Sequence, residues 1–179
     1  MTICTKDREC ILGETASSKM ILNEMGKVVD CIWREIPVSF PFVVIDLYTI
    51  MPNHLHGIIF IKKQNNCEDL ESYRGLKTGR GLINQTPTGH QTYSPNPISN
   101  EWIMMKNPAT VLGKIIRFFK AKSVLKIRNK MNDSFCWQRN YYEHIIRDEN
   151  ELSGIREYIK LNPANWLVDE DNPVNGMRS

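Results

Sequence analysis

The stretch that most constrains this chain is Pro41 to Ile61, two β-rich apolar runs on either side of Pro52-Asn53. The first run carries Val43, Val44, Ile45 and Ile50. Branched side chains are stiff in a helix and pack well on a pleated surface, so this run reads as a strand with both faces largely covered. Pro52-Asn53 is a turn signal, and the run from Met51 to Ile61 reads as a second strand returning antiparallel. The pair predicts a hairpin at the centre of a sheet. Asp46 interrupts the first run and is read as pointing toward a site.

The second strand opens on His54-Leu55-His56. Side chains alternate along a strand, so both imidazoles project from one face, roughly 7 Å apart. Leu55, Ile59 and Ile61 take the other face and seat the strand on a core. Two imidazoles at that spacing suit one divalent ion, but two histidines rarely complete a site, so a further ligand must come from elsewhere. Two half-exposed histidines at a strand edge are the plain alternative.

The chain of 179 residues is one domain's worth, with a net charge of only +3. Five cysteines, an odd number without a C-x-x-C pair, suggest neither a disulfide framework nor a cysteine-bound metal. They read as reduced thiols in a cytoplasmic protein. No apolar run is long enough to span a membrane, and no signal-peptide pattern is present.

Met1 to Thr5 reads as the last part of a strand, followed by a charged turn at Lys6–Glu9. A helix is expected from Ser17 or Ser18, with Met20, Ile21, Met25, Val28, Val29, Ile32 and Trp33 as its buried stripe and Pro37 at its end. From about 65 to 105 the glycines, prolines and amides keep no period, which predicts a flexible insertion; His90 within it reads as solvated.

Ala109 to Arg128 has helical period, with Leu112, Ile115, Ile116, Phe119, Val124 and Ile127 on one side. The rest of its surface is basic: Lys114, Arg117, Lys120, Lys122, Lys126 and Arg128, with no acid between Glu101 and Asp133. Solvated helix faces usually mix signs, so this face suits a polyanion such as a phosphate backbone. Ser134 to Ile146 alternates aromatic and polar residues and reads as another strand, where aromatics can stack on bases and the basic Arg139 can hold a phosphate. His144 reads as structural.

Asp148 and Glu151 have capping-box spacing and open a last helix that Pro163 closes. Tyr158 and Asn162 stand four apart and so share a helical face beside the apolar stripe of Leu152, Ile155 and Ile159.

Three segments together carry a resemblance: Met51-Pro52-Asn53-His54-Leu55-His56, Trp137 to Asp148, and Tyr158-Ile159-Lys160-Leu161-Asn162-Pro163. The chain resembles the single-tyrosine HUH transposases, and within them the branch associated with repetitive extragenic palindromes (REP). Thr2 to Arg8 looks like that family's first strand, cut short. The resemblance runs over the chain outside 65–105 and treats 1–179 as a single domain. It implies an α+β, ferredoxin-like (RRM-like) fold, an antiparallel sheet with helices on one face. It implies a divalent metal, Mg²⁺ or Mn²⁺, held by His54, His56 and Asn162, with Tyr158 as nucleophile. The substrate implied is single-stranded DNA flanked by hairpins, with the basic helix as grip and a homodimer as one possible assembly.

A divalent ion on these ligands polarises a phosphate, and attack by the phenol leaves a phosphotyrosine that conserves the bond for rejoining. Two other classes stay open at this point: a nucleic-acid binder on the same fold without catalysis, and a metal-dependent nuclease in which Tyr158 is structural.

Overall fold

The structure is a computed structural model and describes residues 1–62 and 108–176. The expected insertion at 65–105, His90 included, lies outside the described residues. In chain order the elements are β1 (Thr2–Cys4), a 3₁₀ turn (Lys6–Arg8), β2 (Gly13–Ala16), β3 (Lys19–Leu22), α1 (Glu24–Arg34), α2 (Ile36–Ser39), β4 (Val43–Ile50), β5 (His54–Ile61), α3 (Pro108–Arg128), α4 (Glu149–Asn165), a second 3₁₀ turn (Trp166–Val168) and α5 (Pro173–Gly176).

The hairpin of β4 and β5 forms as the sequence requires, and β5 is the central strand of an antiparallel sheet ordered β1-β5-β4. β1 pairs Thr2 with His56 and Cys4 with His54. Residues 134–142 lie along the free side of β1, touching it through isolated antiparallel bridges at Thr5–Trp137 and Thr2–Tyr142. The main sheet and its helices thus follow a βαββα succession, with residues 134–142 beside β1 through isolated bridges, and the architecture is α+β and consistent with a ferredoxin-like fold.

Residues 134–146 are not the continuous strand that the alternation predicted. Lys120 of α3 donates to the carbonyls of Gln138 (2.7 Å) and Asn140 (2.9 Å). Those carbonyls are therefore turned to an ammonium rather than to β1, and the ladder breaks between its two bridges.

The expected helix from Ser17 is also corrected. Ser17 and Ser18 have φ of 50° and 60° and turn a tight hairpin between β2 and β3. A two-residue hairpin loop of this kind needs positive φ at both central positions. Met20 and Ile21 accordingly belong to β3. The helix starts after Asn23, whose side chain accepts from Gly26 N at 3.0 Å. Nor does Pro37 close the helix: α1 stops at Arg34, and Pro37 sits in the first turn of α2.

The sheet divides the molecule into two layers. On one face Ile3, Leu55, Trp33 and Ile32 pack with Ile115, Ile116 and Phe119, so α1 and α3 share that face. Gly57 is required there, because a Cβ would stand 2.5 Å from Trp33 Cζ2. On the other face Ile58 packs with Leu152 and Ile159 of α4. The register of β4 shifts between Ile45 and Tyr48. At this irregularity Asp46 binds Arg156 of α4 through two hydrogen bonds of 2.7 and 3.0 Å, and Leu47 packs against the same helix. Asp46, read above as aimed at a site, is a clamp for α4. Among the described residues no helix is long and apolar enough to cross a membrane, and Cys4, Cys10, Cys31 and Cys136 are free.

Candidate metal centre

Strand alternation places His54 and His56 on the α4 face of β5, their ring centroids 4.4 Å apart. Both are buried. Burial lowers the pKa of each, that of His56 to about 3 with help from His54 and the N-terminal ammonium. Both imidazoles are therefore neutral near pH 7 and have lone pairs to offer.

The hydrogen bonds say which nitrogen of His54 offers it. Asn53 Nδ2 donates to the carbonyls of Arg8 (3.0 Å) and Asp171 (2.7 Å). Its amide orientation is thereby set, and Oδ1 is the atom that meets His54 Nδ1 at 2.8 Å. An amide oxygen only accepts, so Nδ1 carries the proton and Nε2 is bare. Asn162 is oriented in the same way. Its Nδ2 donates to a carboxylate oxygen of Asp169 at 3.0 Å, which turns Oδ1 inward.

His54 Nε2 and Asn162 Oδ1 are two of the three buried side-chain polar atoms without a hydrogen-bond partner among the described residues; the third is Trp33 Nε1 in the main core. Each such atom costs about 1–3 kcal/mol when left unpaired. Two buried acceptors with no proton to share could serve as ligands to a cation. His54, His56 and Asp171 also offer ligand atoms that all lie within 4.8 Å of one another, an arrangement that could hold a metal ion. Asp171 Oδ2 lies 3.9 Å from His54 Nδ1, the nitrogen already committed to Asn53. The bookkeeping therefore favours Nε2 as the metal-facing atom, with Asp171 supplying negative charge nearby. A mixed nitrogen and oxygen set is one that a divalent cation can take.

Tyr158, about half exposed, projects from α4 beside this group. Its hydroxyl is 3.4 Å from His56 Nε2. Burial, then Asp169 and Asp171, raise its pKa. His56 Nδ1 in turn is 2.8 Å from Thr2 Oγ1. A cleft of about 810 Å³ opens over these groups, lined by Thr2, His56, Tyr142, Tyr158, Asn162 and the acids Asp169, Glu170 and Asp171 among others.

The structure thus brings His54, His56, Tyr158 and Asn162 together. It does not bring the basic residues to them. α3 lies on the opposite face of the sheet, and its cations are divided. Lys114, Arg117 and Lys126 are exposed, Lys122 pairs with Glu35, Lys120 holds the 138–140 carbonyls and Arg128 donates to the carbonyl of Phe135 at 2.8 Å. Arg139 is exposed on the segment beside β1. His144 pairs with Glu151, as a structural residue would.

Sequence reasoning missed Asn53, Asp169 and Asp171. Asn53 was read only as a turn residue. The acidic run Asp169-Glu170-Asp171 was visible, but no periodicity tells where a loop after a helix returns.

No protein-family model and no solved structure matches the chain. A "Putative REP-associated tyrosine transposase" of Haemophilus influenzae is 45% identical over 39 residues, 22% of each chain. An "Uncharacterized protein" of Haemophilus influenzae is 37% identical over 170 residues, which cover 95% of this chain and 82% of that protein. At that identity and span, the chain belongs to the same family as this second Haemophilus protein.

Proposed function

We propose that the protein is a metal-dependent enzyme that nicks and rejoins single-stranded DNA through Tyr158. The observation that carries this reading is the placement of the Tyr158 hydroxyl 3.4 Å from His56 Nε2, beside two buried acceptors left without a donor. The partial likeness to a protein named as a tyrosine transposase points the same way.

In this reading His54 Nε2, His56 Nε2 and Asn162 Oδ1 would hold a divalent ion, which when bound polarises the scissile phosphate and offsets developing negative charge. Tyr158 Oη attacks phosphorus. A P–O bond to tyrosine forms, the bond to the 3′ oxygen breaks, the phenol gives up its proton and the leaving 3′ oxygen takes one. No water is consumed, so the reverse attack by a 3′-hydroxyl rejoins a strand. Asn53 and Asp169 keep the ligand atoms aimed inward throughout. Lys114, Arg117 and Lys126, on the far layer, would grip the phosphates of a flanking hairpin rather than the reacting strand.

The test is a covalent protein–DNA adduct on a denaturing gel, with Mn²⁺ and hairpin-bearing oligonucleotides. The adduct is expected from the native chain and absent from Tyr158→Phe. An adduct that survives that substitution would remove the nucleophile.

One observation favours a second reading. Burial, and after it Asp169 and Asp171, oppose ionisation of Tyr158, as suits a hydrolytic nuclease in which water attacks instead. Cleaved DNA with no adduct would select it.

A further inference from the structure

Several aromatic side chains between Phe135 and Tyr142 suggested base stacking, and the structure sorts them. Phe135 and Trp137 are buried in the main core. Tyr141 packs against that core and lies under the Lys120 ammonium, 5.8 Å from its ring centroid. Tyr142 alone of these presents its ring to solvent, at 65% exposure, and it lines the same cleft as Tyr158 and His56.

We propose that Tyr142 is a stacking platform for an unpaired nucleobase next to the phosphate attacked by Tyr158. This rests on the proposed function, and it names the part of the substrate that Tyr142 takes. Three features support it. The backbone of Tyr142 is pinned to Thr2 on both sides, by hydrogen bonds of 2.8 and 2.9 Å. Thr2 in turn holds His56 Nδ1, so the ring is carried on the strand that positions a candidate metal ligand. With the backbone anchored, only the rotation of the side chain remains to be ordered when a base lands on it.

Val168 lines the same cleft and is 78% exposed, an apolar surface where a base can shed water. A volume of about 810 Å³ is of the size that accepts a small organic group, and so a nucleotide unit. Charge also favours a base over a phosphate at this wall. Asp169, Glu170 and Asp171 line the cleft beside Arg8, whose guanidinium Asp171 holds at 3.0 Å, so the acids outnumber this cation and disfavour unscreened backbone phosphates, whereas a base offers a neutral π-face. Stacking of this kind tolerates any base, so Tyr142 contributes affinity and position rather than sequence.

The experiment uses the full chain in a Tyr158→Phe background, so that no covalent step intervenes. The probes are hairpin oligonucleotides with 2-aminopurine placed at successive positions in the single-stranded flank. Quenching at one or two adjacent positions is expected. Tyr142→Ala should lose that quenching and weaken binding roughly tenfold or more, while Tyr142→Trp and Tyr142→Phe retain both. Equal quenching and affinity in Tyr142→Ala, or no quenching at any position, overturns the proposal. Failure of the parent reading looks different. Position-specific quenching that depends on Tyr142, in a chain whose native form never yields an adduct, leaves the platform standing and removes the transposase chemistry.

Discussion

Asn53 is the residue on which the candidate site turns. It is fully buried, and its amide is fully used: Nδ2 donates to the carbonyls of Arg8 and Asp171, and Oδ1 accepts from the neighbouring His54. Asn53→Leu would orphan two carbonyls and free His54 Nδ1 to lose its proton to Nε2. The expected outcome is a loss of about 3 kcal/mol of stability, read by urea unfolding. Mn²⁺ affinity should fall by roughly 10–100-fold, read by calorimetry on the folded fraction. Unchanged affinity would mean that His54 needs no partner to present Nε2. The two histidines were legible because a strand has period two, and Tyr158 with Asn162 because a helix brings residues four apart together. The amide locks behind them were not legible. They join Asn53 to Asp171 and Asn162 to Asp169, contacts made by loops whose path no pattern encodes.

At the scale of elements, the corrections at Ser17-Ser18 and at 134–146 share one cause: a side chain or turn outside the element decides its conformation. Ser17-Ser18 adopts the positive-φ hairpin turn without the Asn-Gly signal that usually marks one. The 134–146 run had the right alternation, but Lys120 took its carbonyls. Lys120 also makes this join sensitive to pH. Burial lowers its pKa from 10.5 to about 8. Below that value the folded state carries a half-buried charge, and its cost is fully present. Between about 8 and 10.5 the folded lysine has released its proton while the unfolded one keeps it, so the unfolded state binds more protons and stability rises with pH. Chemical denaturation of the native chain and Lys120→Met, on either side of that window, checks this. The native chain should gain on the variant as pH rises. Groups that do not interact with Lys120 cancel in the comparison, whereas Cys4, whose thiol burial pushes up to about 11 against a smaller opposing pull from Lys120, titrates together with it. A constant difference would show that Lys120 keeps its proton in the fold.

For the whole molecule, the sheet separates two kinds of charge. Exposed cations of α3 stand on one side, and the acids Asp169, Glu170 and Asp171, the last of them paired with Arg8, stand around the cleft on the other. A polyanion is drawn to the first surface and repelled from the second unless a cation occupies it. The candidate ligands also come from distant parts of the chain, His54 and His56 from β5 and Asn162 from α4. A metal that binds them ties α4 to the sheet and binds the folded state in preference to the unfolded one. Mass action then predicts stabilisation of about 2.7 kcal/mol at a hundredfold excess of Mn²⁺ over its Kd, which is roughly 5–10 °C in Tm for a chain of this size. The His54→Gln/His56→Gln double variant should show no such shift, since it removes both imidazoles without adding charge. A native chain whose Tm is indifferent to Mn²⁺ would leave the two orphaned acceptors without a cation, and the neutral imidazoles beside Tyr158 would then have to be explained as packing alone.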